Sequence, residues 1–328
     1  MSGMTKLERL QAAVKGEPVD RPAVALWRHF PGDDQQPEDL AAATLAFQQR
    51  YDFDFVKVTP ASSFCLRDWG SRDRWRGNME GTRDYEHCPV RAAEDWQSLQ
   101  VVEPAQGALG AQLRCLRMIG DALGDEVPFI QTIFSPLAQA KNLVGRGRLL
   151  VHLRRHPDAV RAGLEIIAET TARFVAAAQE TGIAGVFYAV QHAQYGLLSE
   201  EAYRVFGREC DLQVLEAAEP LWLNMLHLHG SDVMFDLVAD YPVQVINWHD
   251  RETWPSLAEG QTRFGGAVCG GLQRWNVMVR GTPDQVREQA KDAISQVEGR
   301  RFVLGTGCVT PIVAPTANLH AARQAVEA

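Results

Sequence analysis

Much is missing from this chain of 328 residues. No apolar run reaches the roughly 20 residues that a membrane-spanning helix needs. Positive charge is not in excess: 41 acidic against 33 basic residues leave a net charge of -8. The basic footprint of a nucleic-acid binder is therefore absent. Six cysteines, at 65, 88, 115, 210, 269 and 308, form no CxxC pair. So scattered a set speaks against a disulfide framework and for a reduced, cytoplasmic protein. The first stretch, "MSGMTKLERLQAAVKGEP", carries no apolar core of a secretory leader and reads as a charged helix. Internal repeats and low-complexity tracts are lacking too.

What is present is a chain able to bury a large core, with 46% hydrophobic and 23% charged residues. Eight β-rich runs punctuate it: 21–27, 53–60, 128–136, 185–191, 221–230, 242–250, 265–272 and 301–307. Between them lie helical patterns. Residues 156–182 carry apolar side chains at helical spacing and end in Gly182; 282–299 open on Thr-Pro and end in Gly299; 199–220 open on a Ser cap and close before Pro220. Regular alternation of strand and helix predicts a parallel sheet with right-handed crossovers. Eight such units predict an α/β fold, a single (β/α)8 barrel spanning 1–328. One connection, 61–127, is far longer than the others and rich in Trp, Arg, Asp and Gly. It is expected to be an insertion that forms a lid or a pocket wall.

In such barrels chemistry gathers where strands end. Polar residues fall there in this chain. Arg28 and His29 end the first strand, Lys57 lies near the end of the second, Gln191 and His192 end the fourth. His227 and His229 end the fifth, with Asp232 just beyond, and His249 and Asp250 end the sixth. Five of the nine histidines thus sit at strand ends, which predicts a polar pocket at one barrel face. A single such histidine is as well explained by an ordinary loop hydrogen bond. The pair in "LHLHG" is more specific, because residues two apart share a face of a strand and both imidazoles can reach one metal ion. Cys308, in the Gly-rich turn "GTGC", is a third candidate ligand; the other cysteines read as buried apolar packing.

Five stretches together resemble the uroporphyrinogen decarboxylase superfamily. "LERLQAAVKGEPVDRPAV" is similar to its first helix and strand. "PFIQTIFSPLAQAKNLVG" is similar to its third strand and helix, "YGLLSEEAYRVF" to its fourth loop and helix. "GTPDQVREQAKDAI" resembles the start of its seventh helix, and "GTGCVTPIVAPTANLHAA" its last strand and loop. The likeness spans nearly the whole chain. It implies one of two activities: cofactor-free decarboxylation of porphyrinogen acetates, or zinc-dependent methyl transfer between a corrinoid protein and a thiol such as coenzyme M.

The decarboxylase pattern is broken here. Its Gln-Ala-Gly-Arg segment reads "RHFPG", Arg28 is out of register, and its histidine near the last strand falls on Thr306. A polycarboxylate substrate needs bidentate cationic clamps, which these positions lack. The methyltransferase branch holds zinc with a His-x-Cys pair and a later Cys. The resemblance places these on His227, His229 and Cys308, with one thiolate replaced by imidazole. Three expectations follow. The leading one is a zinc-dependent methyl or alkyl transferase. Here Asp232, His249 or Asp250 orient ligands or move a proton, and Arg28, His29, Lys57, Gln191 and His192 bind a small-molecule acceptor. A methylcorrinoid is the donor, carried by a corrinoid protein, and the family suggests a homodimer. The second is the decarboxylase. The third is a non-catalytic barrel that holds a corrinoid or another tetrapyrrole.

Overall fold

The structure is a computed structural model; it describes residues 3–145 and 147–327. Eight parallel strands form its centre: β1 (Ala23–Val24), β2 (Val56–Val58), β3 (Phe129–Phe134), β4 (Gly185–Val190), β5 (Met225–Leu228), β6 (Val245–Trp248), β7 (Ala267–Leu272) and β8 (Phe302–Thr306). Their order in the sheet is β1-β8-β7-β6-β5-β4-β3-β2. That is the order of a (β/α)8 barrel opened between β1 and β2, the arrangement the eight runs predict. The strands are shorter than those runs, β1 by the most, because their flanks turn into loops as soon as the ladder ends. At the open seam the Asp54 N–H donates to Val24 O at 2.9 Å, and the Asp54 carboxylate accepts the Val24 N–H at 2.8 Å. The same carboxylate pairs with Arg9 at 2.7 Å and Arg21 at 2.8 Å. One fully buried acid thus joins the N-terminal helix to both edge strands.

The core strands are buried on both faces, which is why their sequences read as largely apolar runs instead of alternating ones. The helices start on the residues the sequence marks. Ser199 caps Glu200–Tyr203 by accepting the Ala202 N–H. Thr282 and Gln285 make a capping box, with Pro283 in the first turn of Pro283–Gln296. The helical pattern over 199–220 proves to be interrupted by a π-turn, Arg204–Arg208.

The 61–127 connection is not one irregular insertion. Its last part is a 17-residue helix, Gly107–Leu123, the crossover that returns the chain to β3. Glycines at 107, 110 and 120 lower its helix propensity and hide it from a pattern search. Two of them are there for close packing: a Cβ on Gly110 would lie 2.5 Å from Ala105 O, and one on Gly120 2.7 Å from Thr181 O. Ahead of this helix stands an antiparallel hairpin, Arg72–Arg74 with Asp84–His87. No helix among the described residues is long and apolar enough to cross a membrane.

Candidate functional site

Strand register assembles the site. In β5, His227 pairs across to Ala189 of β4 on one side and to Asn247 of β6 on the other. His229 lies one step past β5, its N–H donating to Val190 O at 2.9 Å. His249 follows the end of β6, two residues after Asn247 and so on the same face. Cys308 follows β8. It reaches the others because Gly307 lets the chain pass close to β6: a Cβ there would stand 2.6 Å from Trp248 O and 2.7 Å from the His249 Cα. As a result His227, His229, His249 and Cys308 each offer one ligand atom, and all four atoms lie within 4.8 Å of one another. The three imidazole centroids are 5.2–6.0 Å apart, and the Cys308 Sγ is 3.7 Å from His229 Nδ1.

Hydrogen bonds outside this cluster decide which nitrogens are free. The Asn247 amide donates to Cys269 O at 2.8 Å and to Thr306 O at 3.1 Å, so its oxygen faces His227 as an acceptor. At 2.7 Å, His227 Nδ1 therefore carries the proton, and Nε2 keeps its lone pair. His249 Nδ1 lies 3.3 Å from a Glu252 carboxylate oxygen, which likewise leaves Nε2 as the open nitrogen. Both Nε2 atoms are buried without a hydrogen-bond partner. Burial lowers the basicity of His227. At Cys308, burial opposes ionisation, but the His227 imidazole and contacts from all three histidines overcome it and hold the thiol well below its ordinary value. Open imidazole nitrogens beside a thiolate are ligands in the protonation states that a borderline-soft divalent ion requires. The residues fit such an ion, which would give the buried Nε2 atoms of His227 and His249 a partner.

A cavity of about 760 Å³ opens beside the cluster. On one side of it stand His29 and Lys57. Lys57 Nζ is 3.3 Å from Thr59 Oγ1 and 4.4 Å above the Phe187 ring. Burial pulls its pKa down to about 7, with Cys308 acting the other way. His29 Nδ1 is buried without a partner, and burial with the nearby Lys57 pushes the imidazole down to about 3. Gln191 and His192 line it as well. Gln191 accepts from Lys141 at 2.7 Å, and burial next to Lys141 holds His192 at about 3. Residues 80–85, from the hairpin and its turn, close the outer wall. They are pinned at two points. Glu80 accepts from Arg274 and, at 3.2 Å, from Trp275 Nε1. Arg83 pairs with Asp34 and Asp73, each at 3.2 Å.

Four residues singled out in the sequence do not line this cavity, although one of them, His249, belongs to the cluster beside it. Arg28 packs its guanidinium over Phe30 and Phe47, 5.3 and 5.4 Å from the ring centroids, on the helix side of β1. Asp232 is exposed; its left-handed backbone (φ 52°) turns the loop after β5, its N–H donating to Thr253 Oγ1 at 2.9 Å. Asp250 turns away to β7, where its carboxylate accepts the Gly271 N–H at 3.1 Å and meets Arg251 at 3.6 Å. Burial lifts its pKa to about 6. Asp250 is thus a fastener between β6 and β7. His249, read from sequence as an orienting group or a proton carrier, is instead brought into the ligand cluster itself. Sequence reasoning passed over Asn247, although "NWH" repeats the two-apart spacing of "HLH". It also passed over Glu252, three residues past His249.

Comparisons with known proteins agree on the family. Residues 5–328 match the family model described as uroporphyrinogen decarboxylase (URO-D). The chain is 22% identical to methylcobamide:CoM methyltransferase MtbA of Methanosarcina acetivorans, over 98% of this chain and 97% of that one. It is 23% identical to methylcobamide:CoM methyltransferase MtaA of Methanosarcina barkeri, with the same coverage of each chain. Among solved structures, a methyltransferase from Methanosarcina mazei superposes with a TM-score of 0.87 at 20% identity, covering 99% of this chain and 98% of the other. A B12-independent methionine synthase from Shewanella sp. W3-18-1 shares the fold at a TM-score of 0.60 and 10% identity, covering 93% and 96%. With the family model matching almost end to end, this chain belongs to the uroporphyrinogen decarboxylase (URO-D) family.

Proposed function

We propose that this protein is a methyltransferase that moves a methyl group from a methylcorrinoid to a small thiol acceptor, using a zinc ion held by His227, His229 and Cys308. The observation that carries this reading is the convergence of open imidazole nitrogens and a thiolate-forming cysteine on one side of the cavity. The names of the relatives, methylcobamide:CoM methyltransferases, support it. Bound zinc supplies Lewis acidity, which lowers the pKa of a thiol and leaves it nucleophilic near neutral pH. The chain's own groups do the remaining work. Asn247 holds His227 in the Nδ1–H tautomer. Lys57 and His29 receive the polar end of the acceptor, and Gln191 and His192 contact it as well. Residues 80–85 keep bulk water from the cavity.

A decarboxylase has less support. The arginines near the cavity are already neutralised, Arg83 by Asp34 and Asp73 and Arg274 by Glu80, so they do not form a free clamp for a polycarboxylate. The test is protein purified without a metal-binding tag. One equivalent of zinc is expected, together with loss of methylcobalamin absorbance when a thiol is added, and both should disappear in His229→Ala. Zinc well under one equivalent, unaltered by that substitution, overturns the proposal. Release of coproporphyrinogen from uroporphyrinogen by metal-free protein would replace it with the decarboxylase. A spectral shift on adding cobalamin without methyl transfer would replace it with a binding barrel.

A further inference from the structure

We infer that His249 is a fourth protein ligand, so that the metal centre is a closed His3Cys site and not a three-ligand site with an open place. This rests on the reading that the cluster holds a metal ion. Three observations converge on it. First, the ligand atom of His249 belongs to the same 4.8 Å cluster as those of His227, His229 and Cys308; its ring centroid is 5.2 Å from that of His229 and 6.0 Å from that of His227. Second, its tautomer is set from outside. Glu252 stands 3.3 Å from Nδ1, so the proton sits there and the Nε2 lone pair is directed inward, the same device that Asn247 applies to His227. A carboxylate behind a ligand imidazole is the common support of a metal-bound histidine. Third, His249 Nε2 is buried and has no hydrogen-bond partner. A buried polar atom without a partner is costly, and a shared metal ion would satisfy it together with the His227 Nε2.

The backbone is built for this approach. Gly307 lies so close to the Trp248 and His249 backbone that any side chain at 307 would collide with it. That contact sets Cys308 beside His249, although β7 separates their strands in the sheet. A centre with four protein ligands is saturated in the tetrahedral geometry that zinc prefers. A sulfur donor from outside therefore adds to it only by exchange for a nitrogen or by expansion to five ligands.

X-ray absorption of the zinc-loaded full-length protein tests the assignment. The native protein is expected to show three imidazole nitrogens and one sulfur, and His249→Ala two imidazoles, one sulfur and a light donor from water. Chelator competition should show the variant binding zinc at least about tenfold more weakly. His249→Cys should restore tight binding and raise the sulfur count from one to two. Thermal unfolding of the metal-free proteins checks that His249→Ala still folds, and His249→Cys carries the test if it does not. If native protein binds one equivalent of zinc through only two imidazoles, or His249→Ala keeps native affinity and ligand count, the four-ligand assignment falls while the transferase reading stands. If the native protein takes up no zinc, both fall.

Discussion

Asn247 shows how one uncharged side chain can set the tautomer of a candidate ligand. Its amide hydrogens are committed to Cys269 O and Thr306 O, which leaves only its oxygen for His227. Asn247→Leu is expected to weaken zinc binding by roughly 10–100-fold, the cost of losing an outer hydrogen bond to a ligand. It should also lower stability by about 1–3 kcal/mol through two unpaired carbonyls. A chelator titration and a urea midpoint separate the two effects. Lys57 is the residue whose proposed role concerns the acceptor. Lys57→Met should raise KM for an anionic thiol by about tenfold or more, the worth of a charge-assisted hydrogen bond, and change KM for a neutral thiol far less. Equal changes for both thiols would remove Lys57 from acceptor recognition. At this scale the sequence was legible in part. Spacing and resemblance pointed to His227, His229 and Cys308. They did not separate Asp250, which turns outward to Gly271, from His249 beside it, which turns inward. The period of two does carry past β6, setting His249 inward with Asn247 and Asp250 outward, but it can be applied only once Asn247 is known to face inward, and that comes from its pairing with His227 across the sheet.

Among the elements, the helix after β4 carries a device unrelated to the cavity. Asp211 is fully buried and accepts from the hydroxyls of Tyr188 at 2.7 Å, Tyr241 at 2.8 Å, and Tyr203. The π-turn Arg204–Arg208 places Gly207 against the Tyr203 ring, where a Cβ would come within 2.4 Å. Burial raises the Asp211 pKa from 3.8 to about 6, against the pull of the three phenols. The folded chain then holds this proton more tightly than the unfolded chain. The resulting stabilisation is complete below the ordinary carboxyl pKa and is lost as pH rises through about 6. The stability advantage of the native protein over Asp211→Asn is therefore expected to shrink by roughly 2–3 kcal/mol between pH 4 and pH 7. Urea midpoints at a series of pH values check it, and a pH-independent difference would show that folding does not shift the Asp211 pKa. Eight strands and the main helices could be read from sequence because apolar runs and caps announce them. The helix Gly107–Leu123 could not, since its glycines serve contacts with Ala105 and Thr181 that only the folded chain brings near.

For the molecule as a whole, the wall over the cavity is tied to distant parts of the chain. Glu80 is held by Arg274 and Trp275 from the loop after β7, and Arg83 by Asp34 from the loop after β1. Glu80→Gln leaves the buried Arg274 without its counter-charge. Glu80 is partly exposed, so the loss is about 1–2 kcal/mol, below that of a fully buried pair. Amide exchange across 72–87 should speed up by roughly tenfold as the wall opens more often, with the barrel strands unchanged. Equal acceleration everywhere would mean that the substitution destabilises the fold and not the wall. The long 61–127 connection was visible in the sequence as an anomaly of length. Its attachment was not, because the partners of Glu80 and Arg83 lie about 194 residues ahead and 49 behind in the chain.

The order of strands also bears on how the chain is made. β1 has a full ladder only with β8, while its link to β2 is a pair of bonds to Asp54. On a ribosome, where domains emerge from the N-terminus onward, the first strand waits without its main partner until β8, the last strand of the barrel, has been synthesised. The Arg9–Asp54–Arg21 cluster can form long before that, which makes it the clasp that keeps β1 in place until β8 arrives. Weakening it should harm folding yield during synthesis more than it lowers the stability of protein already folded.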